Sequence, residues 1–444
     1  MLQDSGDAGE NTEFTAPRDP VGVTASAVKP AIDFESHRYR DMIGRSLLNK
    51  GNNVRLKRAI EKAKNGEPVV IAYIGGSITH GAGAVPIHLQ SYAYRSYESF
   101  KFMFALSKDS PIHLIKAGLG GTPSELGIVR YDRDVLRGGA VQPDIVIIEF
   151  AVNDADDETQ GKCYESLVLK ALTADNKPAV ILLFSVFEND WNLQDRLAPV
   201  GWHYDLPMVS VKDAVVDQFN KTKGEGNVIS KKQFFHDIYH PTNIGHRIMA
   251  DCLEYLFDVT NRSEWDEKDH DIEKAPLIGN EFVNVKLLDR KNGNHIARID
   301  AGSFCKTDTD LQMAEMDAHD YGTPQFPNNW MRTGEGKEDQ SSFRISLQCK
   351  RLILIFKDSG NDEFGTAHIK VDGVFVQKVD PRQVNWTHCH ATLLLNEEHV
   401  GEHSIEIEMA EGHEHKCFTI LGFGYVDKPK TDSHSYVRRK REWN

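Results

Sequence analysis

Four stretches carry residues able to do chemistry, the first three at or just after a short apolar run: "IGGSITHG" (74–81), "KAGLGGTPSELG" (116–127), "EFAVND" (149–154) and "FFHDIYHPTNIGH" (234–246). In the last, Asp237 and His240 stand at i and i+3 in a turn. The carboxylate can hold one ring nitrogen while the other faces outward. An oriented imidazole is what a hydroxyl needs to become a nucleophile, and Ser77 in the first stretch supplies one. Two glycines before Ser77 allow a sharp turn at a strand end, and a helix opening there favours developing negative charge. A tetrahedral intermediate also needs donors for its oxyanion. The peptide N–H groups of Ser77 and Gly121 and the side-chain amide of Asn153 would make three. Each piece alone is also an ordinary feature: a glycine turn, an Asn-Asp turn, a surface Asp/His pair. Their joint occurrence in this order asks for a common purpose. His80, only three residues from Ser77, projects along the helix that the serine opens and is not expected to act as the base. The serine turn is no G-x-S-x-G elbow, because Thr79 stands at the second glycine position, and no P-loop, because no GK[ST] follows.

These residues must be held by a scaffold. The runs "PVVIAYI" (68–74), "IHLIKAG" (112–118), "DIVIIEF" (144–150), "AVILLFSVF" (179–187) and "PMVSV" (207–211) are almost continuously apolar. Strands buried on both faces of a parallel sheet have this texture. Helical segments fit between them, including "VRLKRAIEKAKNG", "YRSYESFKFMFALSK" and "YESLVLKALTAD", with a final helix from 243 to about 258. The pattern predicts an α/β domain over 36–265. Alternating runs such as "SSFRISLQ", "RLILIFKD" and "HSIEIEMA" then predict an antiparallel β-sandwich over 275–430. Residues 1–35 read as a loose N-terminal arm and 431–444 as a basic tail.

A chain of 444 residues is long enough for two such domains. Its formal charge of -14 argues against a nucleic-acid partner. No apolar run approaches the ~20 residues of a membrane span, so no membrane partner is expected. The six cysteines form no CxxC pair, and the start has no signal-peptide pattern, which together lead to a cytoplasmic expectation. A homo-oligomer is left open.

The blocks "GGSIT", "GLGGTPS", "AVND" and "DIYH" together resemble those of the SGNH/GDSL hydrolases, over roughly residues 50–260. The resemblance implies a flavodoxin-like three-layer α/β/α fold and metal-free, cofactor-free hydrolysis of esters or thioesters. It implies Ser77 as nucleophile, His240 as general base, Asp237 as its partner, and Ser77, Gly121 and Asn153 as the oxyanion hole. One departure is Gly76, where that family usually has aspartate. With a following sandwich, jelly-roll and carbohydrate-binding-like, the chain is similar to two-domain carbohydrate acetylesterases of the acetyl-mannan type. An acetylated oligosaccharide is then the expected partner, met by Trp191 and Gln194 in a long connection (187–211) and, by analogy, by Trp330. Two rivals stand beside this reading. One is a lipid esterase or thioesterase of the same family. The other is a metal-stabilised carbohydrate-binding protein, suggested by "HCH" (388–390) and by His413 and His415 in "HEHKC" (413–417), although no spacing matches a standard zinc module.

Overall fold

A computed structural model of the chain describes residues 32–334 and 340–427; the basic tail and nearly all of the N-terminal arm lie outside them. The first domain is built on a six-stranded sheet: β1 (Leu47–Asn49), β2 (Val69–Gly75), β3 (Ile112–Gly118), β4 (Ile145–Glu149), β5 (Ala179–Phe184) and β6 (Met208–Ser210), in spatial order β1-β6-β5-β4-β2-β3. Strands β2 to β6 are mutually parallel. Numbered among themselves they run 2-1-3-4-5, the flavodoxin-like order whose switch point lies beside β2. The three-residue β1 adds an antiparallel edge that the apolar pattern did not announce.

The continuous apolar runs are explained by burial on both sides. Within β2, Ile71 and Tyr73 point into one core, with the helices Val54–Lys64, Tyr92–Phe104 and Asn243–Arg262. Ala72 and Ile74 point into the other, with Ser124–Asp134 and Lys162–Leu172. Alternate residues of one strand thus feed two helical layers.

The second domain is antiparallel: β7 (Lys286–Leu288), β8 (Arg298–Asp300), β9 (Met313–Ala314), β10 (Thr323–Pro324), β11 (Trp330–Arg332), β12 (Phe343–Asp358), β13 (Ala367–Val371), β14 (Val374–Val379), β15 (His388–Met409) and β16 (Phe418–Val426). All but β9 and β10 join one sheet around β12. That sheet curls over its own core. Phe423 pairs in register with Leu354, and Phe343 and Leu354 would be about 36 Å apart in a straight strand. Yet the Phe343 and Phe423 rings stack with centroids 6.0 Å apart. The register break between Cys349 and Arg351 marks where β12 turns.

The domains share a core. Ile353, Ile355, Cys389 and Leu421 of the sandwich pack in one apolar cluster with Leu126, Val129 and Tyr131 of the sheet domain. Lys116 in β3, fully buried, meets Glu315 at 2.8 Å, and Arg137 meets Asp317 at the same distance. Removing either partner of the buried pair strands the other, so these contacts hold one arrangement.

Candidate active site

Each chemical residue either follows the C-terminal end of a parallel strand or precedes the start of the last helix. Ser77 comes immediately after β2, Gly121 after β3 and Asn153 after β4, all at the switch point. On the other side of the cavity, Thr242 caps the helix Asn243–Arg262 by accepting from the Gly245 N–H. The "DIYH" turn directly before that cap is therefore anchored. Asp237 Oδ1 accepts from the N–H groups of Tyr239 (2.7 Å) and His240 (2.8 Å), folding the turn around its own carboxylate.

Oδ2 of Asp237 lies 2.9 Å from His240 Nδ1, and His240 Nε2 lies 3.0 Å from Ser77 Oγ. The three are thus in line. Burial pushes the Asp237 carboxyl up, but the bonds from the His240 ring and the two peptide N–H groups outweigh it and hold it below the usual carboxylate range. An ionised Asp237 fixes the Nδ1–H tautomer and leaves Nε2 able to accept the serine proton.

Gly121 has φ of +69°, a conformation that suits glycine, and its carbonyl accepts from His388 Nε2–H at 3.0 Å. Neither the Ser77 nor the Gly121 peptide N–H donates to a protein carbonyl among the described residues. Asn153 lines the same cavity. Its side chain presses on the Cα of Gly76, where an added Cβ would sit 2.2 Å from Asn153 Oδ1. This gives a physical reason for glycine at the position that departs from the family pattern. The amide of Asn153 occupies the space that a side chain would need.

The cavity measures about 670 Å³ and is walled by both domains. Ser77, His80, Gly121, Asn153, Phe187, Tyr239 and His240 come from the first; Leu311, Gln312, Met313 and Trp386 come from the second. His80 reaches the cavity wall, but its Nε2 accepts from the Glu315 N–H at 3.3 Å. Burial, with the charges of Lys116 and His240 adding to it, pushes its pKa down to about 4, so it is a neutral acceptor tied to the second domain.

The three expected sugar contacts require correction. Trp330 is 3% exposed and packs edge-on to Phe343 in the sandwich core. Gln194 is buried, with its Oε1 accepting from Ser210 Oγ (2.5 Å) and its Nε2 donating to Asp213. Its segment is not an open connection, since residues Gln194–His203 form a helix. Trp191, half-buried, stacks on Phe187 with centroids 5.7 Å apart, and it is Phe187 that lines the cavity. The aromatic surface is instead Trp386, 43% exposed, so near Gly121 that a Cβ there would meet its ring at 3.0 Å. Sequence reasoning missed Trp386 and Gln312. A tryptophan two residues before "HCH" was the available signal for the first.

Comparison with known proteins agrees with this geometry. Residues 73–248 match the GDSL-like Lipase/Acylhydrolase family, and the segment includes all five residues of the proposed machinery. The α/β domain is thus an SGNH/GDSL hydrolase domain, and the protein is a carboxylic ester hydrolase. Over its whole architecture it is similar to the crystal structure of a two-domain esterase active on acetylated mannans, with a TM-score of 0.73 and 27% identity over 87% of this chain and 99% of that one. A second structure of such an esterase, co-crystallized with mannopentaose, matches with a TM-score of 0.72 and 28% identity over 87% of this chain and 98% of that one. A search of curated protein sequences finds no match.

Proposed function

We propose that this protein is a serine esterase that removes O-acetyl groups from acetylated oligosaccharides, β-mannan or other hemicellulose fragments. The observation that carries the reading is the Asp237–His240–Ser77 line opening into a cavity roofed by Gln312, Met313 and Trp386 of the second domain. Ser77 Oγ attacks the acetyl carbonyl carbon as His240 Nε2 takes its proton. The oxygen becomes an oxyanion facing the Ser77 and Gly121 N–H groups and the Asn153 amide. Collapse breaks the bond to the sugar oxygen, and His240 returns the proton to that oxygen. Water then attacks the acetyl-Ser77 ester, His240 takes one of its protons and gives it back to Ser77 Oγ, and acetate leaves.

The exposed face of Trp386 suits the C–H face of a sugar ring, and the Gln312 side chain beside it is polar. The similarity to a whole two-domain acetylated-mannan esterase supports the same substrate class. The apolar part of the wall, Leu311 with Met313 and Phe187, would also receive a longer acyl chain. A series of nitrophenyl esters separates these. Acetate preferred over octanoate, with acetate released from acetylated mannan, xylan or xyloglucan oligosaccharides, supports the proposal; preference for acyl groups of eight carbons or more overturns it in favour of a lipid esterase or thioesterase.

A further inference from the structure

Directly behind Gly121 lies a second group of chemically capable side chains, which the esterase mechanism does not use. Asp358 ends β12 and His388 begins β15, and the two are paired in register; His390, paired with Phe356, projects on the same face. One potential ligand atom from each of Asp358, His388 and His390 lies within 4.8 Å of the other two.

The hydrogen bonding of this group is incomplete in a particular way. Asp358 is fully buried; its Oδ1 accepts from the N–H groups of Gln383 (3.0 Å) and Val384 (3.3 Å), whereas Oδ2 is buried with no hydrogen-bond partner. His388, 8% exposed, donates Nε2–H to the Gly121 carbonyl, which makes Nδ1 the lone-pair nitrogen. That Nδ1 is also buried without a partner. Two buried electron-pair donors of one three-residue cluster are therefore left without partners, and burying both unpaired is costly. His390 Nδ1 stands 3.9 Å from the same Asp358 Oδ2, beyond a hydrogen bond.

We propose that Asp358, His388 and His390 bind a divalent transition-metal ion of the zinc class, through one carboxylate oxygen and two imidazole nitrogens. Bonds of about 2.0–2.2 Å suit atoms this close after sub-ångström adjustment of the side chains. The mixed nitrogen and oxygen set fits zinc and its neighbours, whereas calcium and magnesium prefer six or more oxygens. A ligating histidine whose other ring nitrogen donates to a backbone carbonyl is the usual supporting arrangement, and here that carbonyl belongs to Gly121. The ion locks the His388 ring and, through it, the Gly121 loop. The set differs from the one suggested by "HCH" and "HEHKC". His413 accepts the Thr366 N–H at its Nδ1, and Asp358 stands in its place. The proposed steps at Ser77 draw only on protein groups, so this assignment stands independently of the esterase reading.

The test uses the full chain stripped with a strong chelator, then titrated with zinc chloride while metal content after dialysis and thermal midpoint are measured. About one equivalent of zinc should be retained and the midpoint should rise by about 3 °C or more, as specific binding to the folded state requires. His390→Ala, at a half-exposed position outside the esterase machinery, should weaken zinc binding by roughly 10-fold or more and abolish the shift; Asp358→Asn, checked by circular dichroism for folding, should do the same. Stripped wild type that gains neither zinc nor stability overturns the proposal. So does zinc binding unchanged in His390→Ala, or a midpoint that responds to calcium or magnesium and not to zinc.

Discussion

Gln312 Nε2 donates to the Gly120 carbonyl at 2.7 Å, while Gln312 Oε1 accepts from the Cys389 N–H at 2.7 Å. A single amide from the second domain thus grips the peptide plane that carries the Gly121 N–H. Because that plane is trans, fixing its C=O also fixes its N–H in the opposite direction. Gln312→Ala should lower kcat on a small acetate ester by roughly 10-fold with little change in KM, since loss of a whole oxyanion donor costs ~10²–10³. Steady-state kinetics on nitrophenyl acetate check it, and an unchanged kcat would remove Gln312 from any positioning role.

Ser77→Ala should remove turnover by ~10⁴-fold or more, with an unchanged circular-dichroism spectrum. His80→Ala is expected to retain activity within about 10-fold. Its cost should appear in stability, roughly 1–3 kcal/mol for leaving the Glu315 N–H without its acceptor. Denaturant melts and rates on the two variants separate the roles, and the reverse pattern would make His80 the base.

Gly76→Ala tests the packing of Gly76 against Asn153. A Cβ would lie 2.2 Å from Asn153 Oδ1, so the amide has to swing away. The expected result is a fall in kcat of about 10-fold or more, together with weakened inhibition by boronic acids that mimic the tetrahedral adduct. A fully active Gly76→Ala would detach Asn153 from the oxyanion.

Glu149, fully buried at the end of β4, has its pKa raised to about 7 by burial, against the opposing bonds from Ser185 and Thr79. A carboxyl raised in this way binds more protons folded than unfolded between its ordinary range and pH 7. Its stabilisation is complete below the unfolded pKa and lost as pH rises through about 7, by on the order of 3 kcal/mol. The Tm of the wild type should therefore decline from pH 5 to 8 more steeply than that of Glu149→Gln. Parallel curves in calorimetry would show that Glu149 does not titrate in this window.

Two tryptophans should give opposite phenotypes. Trp386→Ala should raise KM for an acetylated oligosaccharide several-fold while sparing nitrophenyl acetate, as expected for a ring contact made only by the sugar. Trp330→Ala should cost about 3–5 kcal/mol of stability through core loss. Kinetics with both substrates and a denaturant melt decide between them.

The contrast shows what the chain discloses by itself. The alignment of Ser77, Asp237 and His240 was legible because each sits in a local pattern whose turn geometry is set by its immediate neighbours. The parallel strands were legible for a similar reason, since burial on both faces leaves an unbroken apolar run. Trp330 was misread because Pro327, Asn328 and Asn329 before it suggest an exposed loop, whereas its indole is claimed by Phe343, which follows later in the chain. Gln194 was misread because an amide beside aromatics looks like a binding surface until Ser210 and Asp213 are brought to it. Gln312 and Trp386 were invisible because their meaning depends on which domain face meets Gly120 and Gly121. No periodicity encodes that meeting.

The buried pair of Lys116 and Glu315, next in the chain to residues of an apolar cluster that both domains supply, has a consequence for how this architecture can change over time. A module tethered by a linker can be lost, duplicated or traded while its neighbour keeps working. Here such an exchange would strip one wall from the cavity and expose a charged lysine in an apolar seam. New specificities must then arise by substitution within the loops around Gln312 and Trp386, with the two halves inherited together as one hereditary unit.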